Sequence, residues 1–117
     1  MTLQIINGPI IQAGESLSDG IDCTGGNIVR LTMPAGWDNA NITFQISSDG
    51  NGYNDLYNTD GEEVTLSVVT GSAVVLGQFS EYLRAIAFLK IRSGTRSHPV
   101  EQKAQRDFAI AIEVPAA

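Results

Sequence analysis

Asn41-Ile42-Thr43-Phe44-Gln45-Ile46 places an apolar side chain at every second position. In an extended chain, successive side chains point to opposite faces. Ile42, Phe44 and Ile46 therefore share one face, and Asn41, Thr43 and Gln45 share the other, which reads as a strand with one side in a core and one in water. Three further rows repeat the pattern. Val29, Leu31 and Met33 alternate with Arg30 and Thr32, and Val64, Leu66 and Val68 alternate with Glu63, Thr65 and Ser67. Phe108, Ile110, Ile112 and Val114 form the last row. Together the four rows decide the fold class: the chain is all-β.

Weaker segments fill the gaps between the rows. Leu3 to Ile11 is β-rich but interrupted by Asn7-Gly8-Pro9, so it reads as a bent edge strand or a hairpin. Leu17, Ile21 and Cys23 suggest a short strand, and Tyr53 to Tyr57 another. Ala73 to Leu76 and Ala85 to Ile91 are apolar on both faces, as central strands are. Phe79, Tyr82, Leu83 and Ile86 have the spacing of a single helical turn, too short to be stable alone. Between these runs stand Asp19-Gly20, Gly25-Gly26, Asp49-Gly50, Asp60-Gly61 and Ser93-Gly94, residue pairs suited to tight turns. About eight short strands at this spacing predict an antiparallel, jelly-roll-like β-sandwich filling residues 1–117 as a single domain.

Composition narrows the function. A chain of 117 residues, 43% apolar, can bury a core without disulfides. The net charge is −6, and the seven basic residues are scattered apart from Arg84, Lys90, Arg92 and Arg96. Nucleic-acid binding requires a concentrated basic footprint, so neither nucleic acid nor an anionic membrane surface is an expected partner. Met1-Thr2-Leu3-Gln4 lacks the charged and apolar segments of a signal peptide, and the single Cys23 cannot form an internal bridge. Folding in a reducing cytoplasm is expected. The Asn41-Ile42-Thr43 sequon is accordingly read as accidental.

Several residues invite a chemical reading. Asp49, Asn51, Asp55 and Asp60 lie in an Asx-rich run suggestive of calcium, and Asp49 and Asn51 suit the first and third positions of an EF-hand loop. Tyr53 at the fifth position and Asn54 at the sixth do not, and Asp60 stands at the twelfth. Two Asx-rich hairpin turns are the more economical account. Trp37, Tyr53 and Tyr57 are candidate ligand or partner contacts, as a platform for a sugar ring, but packing at the core or rim is the preferred reading for each. His98 reads as a solvated loop residue and Cys23 as a small buried hydrophobe. No nucleophile elbow, Cys-His pairing motif or phosphate-cradling loop is present, so no cofactor and no catalytic residues are expected.

The order Leu31-Thr32-Met33-Pro34-Ala35-Gly36-Trp37, then Ile42-Thr43-Phe44-Gln45-Ile46-Ser47-Ser48-Asp49-Gly50, is distinctive. Asp55-Leu56-Tyr57, Asp60-Gly61-Glu62, Ile91-Arg92-Ser93-Gly94-Thr95, and Pro99-Val100 with Gln102 follow it. In this order they resemble a family of small structural proteins, of head-decoration or head-fibre type, from tailed bacteriophages and gene-transfer-agent-like elements. The likeness runs from about Ala13 to Val114. It implies a non-enzymatic virion component, made in the host cytoplasm and present in many copies or as a homo-oligomer. Its partner would be the major capsid protein or another virion protein. The alternative is a tail or baseplate adhesin module that binds host glycan through Trp37 or the tyrosines. Residues 1–11 and 115–117 read either as docking arms or as an edge strand and a frayed tail.

Overall fold

The computed structural model describes residues 2–76, 82–84 and 86–115. Among them are eight strands: β1 (Thr2–Ile11), β2 (Ile21–Asp22), β3 (Asn27–Thr32), β4 (Ile42–Ser47), β5 (Asn54–Asp55), β6 (Ala73–Val75), β7 (Phe88–Ser93) and β8 (Arg106–Val114). They form two antiparallel four-stranded sheets, ordered β1-β8-β3-β6 and β2-β7-β4-β5. This order has a simple origin. A long antiparallel ribbon pairs β1 with β8, β2 with β7, β3 with β6 and β4 with β5, then rolls up until β8 meets β3 and β7 meets β4. The result is the eight-stranded jelly-roll sandwich that the strand count predicts.

The apolar rows meet between the sheets. Ile42, Phe44, Leu89 and Ile91 project from one sheet, and Leu31, Phe108, Ile110 and Ile112 from the other; all are buried. β8 is flanked on both sides, by β1 and β3, and carries three of these residues.

The structure departs from the simple alternation in four places. A bulge at Val29 shifts the register between Ile28 and Arg30 against β8, so Ile28 enters the core and Val29 is only half-buried. Thr43, expected in water, is fully buried, because Arg92 and the segment carrying Glu63 cover the outer face of its sheet. The Val64 row alternates in burial but is not a strand; it touches its neighbours through isolated bridges, Leu66 with Ile42 and Glu63 with Tyr57. β6, expected to be central, is a three-residue edge strand.

The remaining segments follow expectation more closely. β1 is the bent edge strand, its register against β8 breaking between Asn7 and Ile10. The strand predicted from Leu17 to Cys23 is confined to Ile21–Asp22, with Leu17 bridging Arg92 alone. No α-helix occurs among the described residues, and Phe79 and Ala85 lie outside them. Leu83 and Ile86 are buried core residues.

Phe44 is 2% exposed at the centre of the sandwich. Phe44→Ala should lower the free energy of unfolding by about 3–5 kcal/mol in urea denaturation. A near-neutral effect would show that β4 faces the other way.

Candidate functional site

Among the described residues two polar clusters are buried, and every buried side-chain polar atom there has a hydrogen-bond partner. The first closes one end of the sandwich. Gln102 is fully buried. Its Nε2 donates to Ser93 Oγ (2.8 Å) and to the Asp38 carbonyl (3.1 Å). Its Oε1 accepts from the Asp38 N–H (2.9 Å) and from Arg106 Nε (3.0 Å). Both donors and both lone pairs of the amide are thus engaged. The Asp38 carboxylate in turn accepts from the Lys103 N–H (2.7 Å) and from Arg106 Nη2 (3.4 Å). Those contacts hold the Asp38 carboxyl below the usual carboxylate range, the Lys103 amide being the largest influence.

The second cluster lies on the outer face of the β2-β7-β4-β5 sheet. Arg92 Nη2 pairs with Asp55, and Nη1 donates to Glu63 Oε2 (3.1 Å) and lies 3.4 Å from Thr43 Oγ1. The Thr43 hydroxyl in turn donates to the Gly94 carbonyl (2.8 Å). From the solvent side, Arg96 Nε reaches Asp55 at 3.3 Å, and Tyr57 lies beside the Arg96 guanidinium. Burial by itself raises the Asp55 pKa, but the Arg92 and Gln45 hydrogen bonds and the two guanidinium charges outweigh it. The carboxyl is held below its ordinary value.

Against this geometry the candidate calcium residues separate. Asp49 Oδ1 accepts from the Asn51 N–H (2.9 Å), the Gly52 N–H (3.1 Å) and Ser47 Oγ (3.0 Å), so it is the cap of its own turn. Asp55 belongs to Arg92, and Asp60 sits exposed in a turn organised by Asn58 Oδ1. Asn51 is exposed at the turn tip. Among the described residues, no three His, Cys, Asp or Glu side chains converge on a point where a metal ion would sit.

The three aromatics are not neighbours in one platform. Trp37 is buried, with its ring edge-on to Phe108 at 5.4 Å between centroids and its Nε1 donating to the Ala40 carbonyl (3.0 Å). It is a core residue, as the packing reading of this ring expects, and it is removed from the candidate ligand contacts. Tyr53 is half-buried, with Lys90 Nζ 4.4 Å from its ring centroid. With Phe88, Asn51, Asp19 and Asp22 it lines an open groove on the outer sheet face. Gly20 lets the Tyr53 hydroxyl approach the β2 turn, where any β-carbon would collide with it. Tyr57 is 44% exposed beside Arg96.

His98 is exposed, with Nδ1 3.1 Å from its neighbour Ser97 Oγ. Cys23 is fully buried, and burial pushes its thiol pKa up to about 11, which makes it a poor nucleophile at neutral pH.

Sequence reading missed the roles of Arg92, Gln102 and Arg106. The available signal was their position: Arg92 directly follows the apolar run ending at Ile91 and Arg106 stands one alternation before the Phe108 row, and a charge at the end of a buried strand is kept when a counter-charge or acceptor covers it. No protein family, curated protein or solved structure matches the chain.

Two predictions follow from the clusters. Gln102→Leu strands the Asp38 backbone groups, Ser93 and Arg106, and should cost about 3 kcal/mol in urea unfolding. For Asp55, the lowered folded-state pKa means that its stabilisation is present above the unfolded value and is lost as pH falls through the folded one. Asp55→Asn should therefore be less stable than the natural chain at neutral pH, with the gap closing below about pH 4 in thermal melts. A gap that persisted at low pH would remove the ion pair as its cause.

Proposed function

We propose that this chain is a structural protein of a tailed-bacteriophage particle, carried on the capsid surface as a decoration protein or as the base of a head spike. The observation that carries the reading is the strand order. The eight-stranded jelly roll, with its interior filled by apolar side chains, is an architecture that recurs in viral coat proteins. Fold alone is an argument by analogy. The motif order from Leu31 to Gln102, which resembles phage head-decoration and head-fibre proteins, supports it independently.

The chemistry of the surface agrees with such a role. The conspicuous polar residues of the interior bond to one another, and an excess of acidic groups keeps free copies soluble. On a symmetric shell, weak contacts repeated many times hold a subunit that would dissociate singly. The glycan-adhesin reading would rest on the groove beside Tyr53, since Trp37 is in the core. Lys90 already lies over the Tyr53 ring, so the capsid reading is preferred.

Cryo-electron microscopy of the purified particle tests the proposal. Density for an eight-stranded sandwich, repeated over the shell or gathered at its vertices, is the expected result. Purified particles that lack the chain would overturn it.

A further inference from the structure

Each sheet of a sandwich ends in two edge strands whose outward N–H and C=O groups invite pairing with another chain, and most proteins blunt such edges. Three edges here are blunt, because β6 has three residues and β2 and β5 have two each. The fourth is β1, with ten residues and no charged side chain. Its second half is protected. The bulge after Asn7 interrupts it, and Asp19 then caps Ile10, accepting its N–H (2.8 Å) and donating to its carbonyl (3.1 Å). Residues 2–7 have no such cover among the described residues. Within them Leu3 is 58% and Ile5 53% exposed, side by side on the outer face of the sheet.

We propose that residues 2–6 of β1 pair antiparallel with the same residues of a second copy across a twofold axis, joining the two β1-β8-β3-β6 sheets into one. The charge distribution admits this occupant, and residues 2–6 are self-complementary about a twofold axis. A second copy brings the same net charge of −6 and approaches closely only where neither chain carries charge, which is what β1 offers.

Register follows from the facing of the side chains. Leu3 and Ile5 stand opposite Glu113 and Ala111 on the outer face, while Gln4 and Ile6 stand opposite Ile112 and Ile110 on the inner. Residues opposed across a continuous sheet share a face, so the axis must pass beside a residue and not between two, and Gln4 and Ile5 are the most central choices in residues 2–7. Centring on Gln4 engages all of residues 2–6 ahead of the bulge. It sets Leu3 against the partner's Ile5, so four exposed apolar side chains cover one another. Glu113, one strand in from Leu3, lies along a row that continues through the partner's Ile5 and Ala111 to Arg30, so no like charges are opposed. The pairing rests on the edge itself and stands apart from the virion reading.

Sedimentation velocity over a range of concentrations should show a species of twice the chain mass. Leu3→Lys/Ile5→Lys should reduce it to single chains with an unchanged melting temperature at low concentration. Gln4→Cys tests the register, because opposed β-carbons lie roughly 4.5–5.5 Å apart. Mild oxidation should then link two chains, whereas Thr2→Cys, displaced by about 13 Å along the strand from its own copy, should not cross-link. A single-chain mass at every concentration would overturn the proposal. So would a dimer that survives both lysines, or one that Gln4→Cys fails to trap.

Discussion

One fully buried amide holds the end of this sandwich together. Gln102 joins the turn after β3, through Asp38, to the end of β7, through Ser93, and to the start of β8, through Arg106. Its backbone adds a fourth segment, since its carbonyl accepts from the Gly14 N–H (2.8 Å) and its N–H donates to the Glu15 carbonyl (3.0 Å). These loops cross from one sheet to the other, and in a jelly roll such crossings fix how the sheets sit. A buried amide with all four positions filled specifies that arrangement, because each rearrangement leaves a donor or acceptor stranded in a dry interior.

The aromatic packing depends on this frame. Trp37 precedes Asp38, and its N–H is held by Thr70 Oγ1 (2.9 Å) while its ring meets Phe108, two residues beyond Arg106. Gly94 completes the corner: it follows Ser93, adopts φ +86°, and admits no β-carbon because the His98 carbonyl occupies the space. Polar satisfaction and apolar burial are therefore coupled here. Moving the ring would disturb the amide, and moving the amide would open the core.

This coupling explains which parts of the fold were legible in the sequence. Alternation at Ile42, Phe44, Ile110 and Ile112 reports one large neighbour, the opposing sheet, and it identified the core and the eight-stranded sandwich. It carries no information about what covers the outer face. Thr43 therefore read as solvent-facing although Arg92 and Glu63 lie over it, and Ala73 read as central although β6 is an edge. The Val29 bulge was hidden for a related reason: Ile28 and Val29 are equally apolar, so only the register against β8 decides which turns inward. At the candidate site, the Asx-rich turn at Asp49 was legible because its donors lie within three residues along the chain. Gln102 had no local signature, because its partners lie as far as 64 residues away.

The residues of the distinctive order from Leu31 to Gln102 can now be given physical roles. Trp37 and Ser93 belong to the corner around Gln102, Phe44 to the core, and Ser47, Asp49 and Gly50 to one capped turn, where Ser47 Oγ accepts from the Gly50 N–H (2.9 Å). Each serves the architecture. A motif of this kind transmits a shape, and whatever the shape meets must be recognised elsewhere, on surface that the motif leaves alone. Two places on the surface stand out: the groove beside Tyr53, which borders the motif at Gly50 and where Lys90 already occupies the ring, and the uncharged edge of β1, which lies outside the motif. The edge differs from the groove in what it offers a partner. Its outward-facing hydrogen-bonding groups are backbone and have no partner strand along residues 2–7, whereas the groove's carboxylates Asp19 and Asp22 already accept from Ile10 and Thr24. Such groups on a rigid strand make the stronger association surface, so contact with other chains is better assigned to the edge than to the groove.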